Sequence, residues 1–477
     1  MGQEIASTRF SAQDYQSFTD NLIQETQQLR QWCAERHFSK RSAVIGLEME
    51  AWLVDEHHQP APVNNRYLTE LNDPLVVPEL AKFNVELNVE PQELSHHGLR
   101  KMHFELENIW QRCQNCAQEL NNQILLIGVL PTAKDTDLVL ANMSSMKRYE
   151  VLNKQVMAAR KGRPLNLDIN GYEHLQSTHY DVMLESAATS FQLHLQVPLD
   201  AAKAYFNAAV IASAPLVALS SNSPFLFGKH LWDETRIPLF EQSVEVGGYH
   251  GASQGPVKRV TFGSSYIRDS IFECFQENLD HYPILIPVQF ENDLDTLPHL
   301  RLHNGTIWRW NRPLLGFDDD GTPHVRIEHR VIAAGPSIID EIANAAIYYG
   351  LASWLCMQDT PGEELISFSD AKSNFYDAAR LGLNAQIFWL DQKKTNLRTL
   401  ILDKILPAAE TGLKNLHVDC DDIQRYLAVI DGRVRNARTG STWQKEFIKK
   451  YGNDMAAMTQ QYIENQKTGL PVHLWPL

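Results

Sequence analysis

The feature that most limits what this chain can become is a pair of glutamates, Glu48 and Glu50, inside the apolar run from Ala43 to Val54. The run is β-rich and closes at the polar turn Asp55–Pro60, which makes it a strand. The two-residue period of a strand places both carboxyls on one face, roughly 6.5–7 Å apart. Leu47, Met49 and Ala51 then point the other way. Buried ionised groups need partners or metal ions, so such a strand demands an unusual neighbourhood. Three further runs supply one. In Asn84–Val89, which stops at Pro91, Glu86 and Asn88 share a face with the following Glu90. In Ala188–Val197, Gln192, His194 and Gln196 alternate with Phe191, Leu193, Leu195 and Val197. In Val325–Ile332, Arg326, Glu328 and Arg330 alternate with Val325, Ile327 and Val331.

A sheet with one solvated face also alternates. Solvated faces are rich in Lys, Thr and Ser, however, and Lys is absent from all four polar sets. The alternative is a sheet whose polar face encloses divalent cations, held by hard oxygen ligands and one imidazole. That donor set suits Mg²⁺ or Mn²⁺ better than zinc. Inward arginines beside carboxylate-bound cations suit phosphoryl transfer, with the metals on phosphate oxygens and an arginine on the developing charge. ATP would then be held by metals, in keeping with the lack of a GxxxxGK[ST] or GxGxxG sequence. The glycine-rich stretch Gly247-Gly248-Tyr249-His250-Gly251 reads as a loop, and Cys113-Gln114-Asn115-Cys116 as a mid-helix coincidence without the further ligands a zinc site needs.

Around these strands the chain reads as α+β. Helices are expected from about Ser11 to Arg36, over Leu99–Leu120 and Met146–Arg160, and from Pro198 to about Leu219. Additional strands are expected at Ile124–Leu130 and Thr306–Arg309. After about Ser337 the pattern is helical, with Ser369–Leu381, Asn396–Leu406, Asp421–Ala428 and Thr442–Asn465 as the main segments. The net charge of −15, with no basic stripe, disfavours nucleic acid as a partner. The longest apolar run, Ala208 to Leu219, is short of a membrane span and contains Pro215. Six scattered cysteines and an N-terminus without a signal-peptide pattern point to a reduced, cytoplasmic protein. Trp308 and Trp310 read as core packing, with stacking on a nucleotide base as the alternative, and His57-His58 and His96-His97 as loop residues. Arg236 reads either as a fork for a substrate carboxylate or as a surface ion-pair residue.

Four strands in a fixed order carry a resemblance to the glutamate–cysteine ligase family: Gly46-Leu47-Glu48-Met49-Glu50, then Val85-Glu86-Leu87, then the His194 strand, then Arg326-Ile327-Glu328-His329-Arg330. More broadly the order resembles the carboxylate–amine ligases related to glutamine synthetase. Lys147-Arg148-Tyr149, the Ser220-Ser221-Asn222-Ser223-Pro224 turn followed by Arg236, and Asn304-Gly305-Thr306-Ile307-Trp308 ending at Arg312 fit the same family, within its YbdK-like branch. The resemblance spans roughly residues 40 to 345. It implies a curved antiparallel sheet with helices packed outside. The catalytic region is read over 1–360, and the helical pattern beyond it as a C-terminal layer over 361–477 that is part of the same domain. It implies an ATP-dependent ligase that converts a carboxylate to an acyl phosphate and joins it to an amine, with small-molecule substrates and possible oligomers. By motif, Glu48, Glu50, Glu79, Glu86, His194 and Glu328 would ligate metals, and Arg330 would be the catalytic residue on the transferring phosphate. Arg236, Arg148, Gln192 and Arg312 would bind substrates. A regulatory member that binds nucleotide or an amino acid without turnover is the competing expectation; a metal-dependent phosphotransferase is a third.

Overall fold

The computed structural model describes residues 5, 7–41, 43–246, 258–290 and 294–477. Its centre is an eight-stranded antiparallel sheet that curls into a half-barrel. The strands are β1 (Val44–Val54), β2 (Val76–Pro78), β3 (Asn84–Asn88), β4 (Gln92–Glu93), β5 (Gln123–Leu125), β6 (Ser190–Val197), β7 (Asn311–Phe317) and β8 (Pro323–Ala333). Their spatial order is β7-β8-β6-β1-β3-β2, with β4 and β5 pairing opposite ends of the long β1.

The apolar set of each strand is buried: Leu47, Met49, Val85, Leu87, Leu193, Leu195, Val325 and Ile327 are all at most 3% exposed. Helices cover that face. The main ones are α1 (Ala12–Glu35), α2 (Gly98–Glu119), α3 (Leu199–Leu219) and α4 (Ile338–Cys356). α3 lies along β8 and packs on α4. The Tyr349 hydroxyl of α4 donates to the carbonyls of His194 (3.1 Å) and Gly46 (3.3 Å), fixing the helix to the two central strands. His329 also faces the helices: it stacks on Tyr348 and shares a 2.7 Å hydrogen bond with Asn311. By length and composition α3 is apolar enough to cross a membrane, but most of it is buried inside the fold. It is a core helix, which is why its apolar residues run all round it.

Local signals placed several elements. α1 begins with a capping box in which Ser11 accepts from the Asp14 amide and Asp14 returns the bond. α4 begins at Ser337, whose side chain accepts from the Asp340 amide. Other expectations need correction. The strand expected over Ile124–Leu130 pairs only as Gln123–Leu125. The stretch expected to form one helix, Thr442–Asn465, is two, Gly440–Tyr451 and Met455–Gln466. The break falls at Gly452, whose φ of 96° is open to glycine, and Asp454 caps the second helix at Ala457. The hairpin Leu165–Asn170 with His174–His179 and the edge strand β7 escaped the sequence reading, and the strand expected over Thr306–Arg309 forms only as Trp308–Arg309, which pairs in parallel with Val260–Thr261 outside the main sheet. Buried residues of the C-terminal helices, such as Ile430, Trp443 and Tyr462, belong to the same hydrophobic core as the sheet.

Candidate active site

Antiparallel register assembles the site. Gly46 lies opposite His194, Glu48 opposite Gln192 and Asn88, and Glu50 opposite Glu86. Across the next pairs, His194 lies opposite Glu328 and Glu328 opposite Arg312. All of these side chains fall on the face away from α4, since a residue's face is set by its parity and register.

On one half of this face, His194 Nε2 lies 3.6 Å from Glu48 Oε1 and 3.5 Å from Glu328 Oε1. Among the described residues, these three form the cluster whose ligand atoms all lie within 4.8 Å of one another. Adjacent ligands of an octahedral Mg²⁺ stand about 3 Å apart, given metal–oxygen distances near 2.1 Å. The spacing therefore suits a small hard cation with only slight closure. Glu48 Oε2 and His194 Nε2 are buried without a hydrogen-bond partner, which is what residues that ligate an ion require. Burial pushes the Glu328 carboxyl up, but Arg312, Arg330 and His194 more than reverse this and hold it well below its ordinary range. Arg312 grips both of its oxygens, at 2.8 and 3.0 Å. Arg330 Nη1 stands 3.2 Å from Glu328 Oε2 and also donates to Gln192 Oε1.

The other half carries excess acid. Glu50 accepts from the Ser190 amide (2.7 Å), the Ser190 hydroxyl (3.0 Å) and Gln192 Nε2 (2.9 Å). Burial, and then Glu86, push its carboxyl up to about 7. Glu79 is pushed up to about 7 by burial and by Glu50 and Glu185, and its side chain is hydrogen-bonded to that of Glu86. Glu86 is raised well above its ordinary value, chiefly by burial. Carboxyls packed this closely retain protons until cations replace them. The donor set, all oxygen on this half, fits Mg²⁺ or Mn²⁺.

Arg148 donates to the Tyr149 hydroxyl at 2.8 Å and lies over that ring, close enough to Glu79 and Glu86 for both to raise its pKa. Gln192 bridges Glu50 and Arg330. Arg312 is spent on Glu328 and on the Gly305 carbonyl. Arg236 corrects the sequence reading. It is 2% exposed, so it is no surface residue, and its hydrogen bonds from Nε and Nη2 go to Glu234 and to the carbonyls of Arg330 and Val331. Glu90 is exposed beyond the end of β3 and does not join the acids. Glu185 was missed. It sits in the short turn Met183–Ala187 ahead of β6, and burial together with Glu50 raises its carboxyl to about 8. No periodic signal marks a single acid in a turn, so only the fold brings it to the site. Trp308 and Trp310 are core residues, and Trp310 Nε1 donates to Glu241 at 3.0 Å. The Gly247–Gly251 stretch lies outside the described residues.

Known proteins give the same picture. No curated protein matches the sequence. A glutamate–cysteine ligase from Francisella tularensis, solved in complex with AMP, superposes with a TM-score of 0.53 at 14% identity, covering 90% of each chain. A bifunctional glutathione synthetase from Pasteurella multocida gives 0.51 at 11% identity, covering 91% of this chain and 54% of that one. These likenesses show the fold. Residues 44–468 match the family described as glutamate–cysteine ligase family 2, a span that contains the whole acid face and most of the C-terminal helices. The chain therefore belongs to glutamate–cysteine ligase family 2 and is an ATP-dependent carbon–nitrogen ligase.

Proposed function

We propose that this ligase activates an amino-acid carboxylate as an acyl phosphate on the acid face of the sheet and passes the acyl group to an amine. The observation that carries the reading is the Glu48–His194–Glu328 cluster beside Arg330, backed by Glu50, Glu79 and Glu86. Mg²⁺ or Mn²⁺ on these residues, when bound, would draw negative charge from the phosphates of ATP.

The chain's own groups carry the rest. Glu48, His194 and Glu328 form one ligand set, and Glu50, Glu79 and Glu86 the other. A substrate carboxylate oxygen attacks the γ-phosphorus, the bond to ADP breaks, and the acyl phosphate remains. Arg330, already buried among Glu328 and Gln192, supplies fixed positive charge where the phosphoryl group moves. Its guanidinium needs no reorganisation, because Gln192 Oε1 and Glu328 Oε2 hold it in place. An amine then attacks the acyl carbon, phosphate leaves, and the nitrogen loses a proton to give the amide. Arg312 keeps Glu328 ionised and correctly turned throughout. The γ-carboxylate of glutamate is the acid to test first, given the family.

The test is an ADP-release screen over pairs of acids and amines with Mg²⁺ and ATP. ADP that appears only when both are present, with amide formed in equal amount, supports the reading. ADP released with an acid alone indicates a phosphotransferase, and nucleotide binding without turnover a regulatory protein.

A further inference from the structure

β8 does not run evenly past β6. Its register holds from Val325 opposite Val197 to His329 opposite Leu193, then resumes with Ile332 opposite Phe191. Arg330 and Val331 therefore share the single position opposite Gln192, which is a β-bulge. A bulge frees backbone groups from the ladder and re-aims a side chain, and bulges recur beside active sites. Here the side chain it aims is Arg330.

The freed carbonyls have a dedicated partner. Arg236 Nη2 donates to the Arg330 carbonyl at 3.2 Å and to the Val331 carbonyl at 2.6 Å. The Arg330 amide donates to the Trp310 carbonyl at 2.9 Å, and the Arg236 guanidinium lies over the Trp310 ring, 5.3 Å from its centroid. Arg236 Nε is fixed in turn by Glu234 Oε1 at 3.2 Å. Glu234 is wholly buried, and its other oxygen accepts from the Asn222 amide at 2.8 Å. Asn222 closes the chain: its Nδ2 donates to the Ala334 carbonyl at 2.7 Å, and its Oδ1 accepts from Gln444 and from the Tyr462 hydroxyl. A buried ion pair is costly to form and is weak evidence for stability alone. This one is built around the carbonyls of the two bulged residues, the aimed arginine and Val331.

We infer that Arg236, held by Glu234, is a positioning residue: it clasps the bulge at Arg330–Val331 and so points the Arg330 guanidinium at the transferring phosphoryl group. The inference rests on the role proposed above for Arg330. It also gives the C-terminal helices a task, since Gln444 and Tyr462 anchor the same chain of hydrogen bonds through Asn222.

The experiment is a double-mutant cycle on ADP release at saturating Mg²⁺, ATP, acid and amine, with melting curves alongside. Displacing a reacting group by about 1 Å costs up to about 10²-fold in rate. Arg236→Lys, which can reach one carbonyl but has no fork, and Glu234→Gln should each lower kcat roughly 10- to 10²-fold with KM values nearly unchanged. In an Arg330→Ala background, Arg236→Lys should change kcat by less than about twofold while its loss of Tm persists, because no arginine is left to aim. Equal kcat losses in both backgrounds, or losses that follow Tm alone, would overturn the inference. Near-normal turnover in Arg330→Ala itself would instead remove the role of Arg330. Without a productive substrate pair, the same cycle is read from the preference for AMP-PNP over ADP with Mg²⁺. That preference should fall in Arg236→Lys and not fall further when Arg330→Ala is added; a preference untouched by Arg236→Lys would overturn the inference.

Discussion

Replacing Arg312 with methionine keeps much of the side-chain volume and removes the fork that holds Glu328. Both oxygens of Glu328 lose a direct donor, at 2.8 and 3.0 Å, and the carboxylate is only 1% exposed. The remaining positive groups are Arg330 at 3.2 Å and, when protonated, His194 at 3.5 Å. Removing one partner of a buried pair typically costs about 3–5 kcal/mol, because a charge is left buried without compensation. With Arg330 still present the lower end applies, about 3 kcal/mol. Equilibrium urea unfolding of the metal-free protein at neutral pH measures this. The loss has a pH signature. Glu328 is held below its ordinary value of 4.5, so its pairing stabilises the fold above that pH and the contribution disappears as pH falls through the folded value. The deficit of Arg312→Met should therefore be constant above about pH 5.5 and narrow below about 4.5. Adding Glu328→Gln to Arg312→Met should restore most of the stability, since position 328 then carries no buried charge that lacks its fork. A deficit below about 1 kcal/mol, or one that does not change on acidification, would refute the claim that Arg312 serves to keep Glu328 ionised.

Arg330→Ala should reduce ADP formation about 10²–10³-fold in a folded, metal-loaded protein, the usual effect of removing one donor to developing charge; rate assays at saturating Mg²⁺ and ATP, beside a melting curve, decide it. Glu48→Gln should weaken Mn²⁺ binding, followed by titration calorimetry or Mn²⁺ electron paramagnetic resonance, at least about tenfold; unchanged affinity would remove Glu48 from the ligand set. Glu50 and Glu79 sit near 7 and Glu185 near 8, all above the ordinary 4.5. Because these acids bind protons more tightly folded than unfolded, metal-free stability should decline as pH rises from about 4.5 to 8, and saturating Mg²⁺ should flatten that decline; a metal-free melting temperature that rises over this range would contradict it. Cys113→Ser should leave metal content unchanged, as measured by atomic emission, because both thiols of the Cys113–Cys116 pair lie in the buried face of α2.

Parity along single strands made the ligand candidates visible. Glu48 with Glu50, the Gln192–His194–Gln196 set and Glu328 with Arg330 each sit at spacings that only a strand turns into a common face. The lack of lysine in those sets separated an enclosed face from a wet one, and the order of the motifs along the chain pointed to the family that residues 44–468 then matched. Helix signals were legible where a cap marked the start, as at Ser11, and failed where a break depended on one residue, as at Gly452.

What the sequence determined by itself was therefore local: which side chains share a face, and which of them cannot be left without partners. Pairing was not local. Nothing in the run around Arg312 says that it will lie opposite Glu328, because register is fixed by how distant strands bury their apolar faces together. Glu185 and Arg236 show the same limit. One is an isolated acid in a turn, and the other is an arginine that reads equally as a substrate fork or a surface ion-pair residue until its buried partners at the bulge are seen. The tertiary structure decided those surroundings, since the partners of a buried charge are whatever distant groups the fold brings within hydrogen-bonding distance.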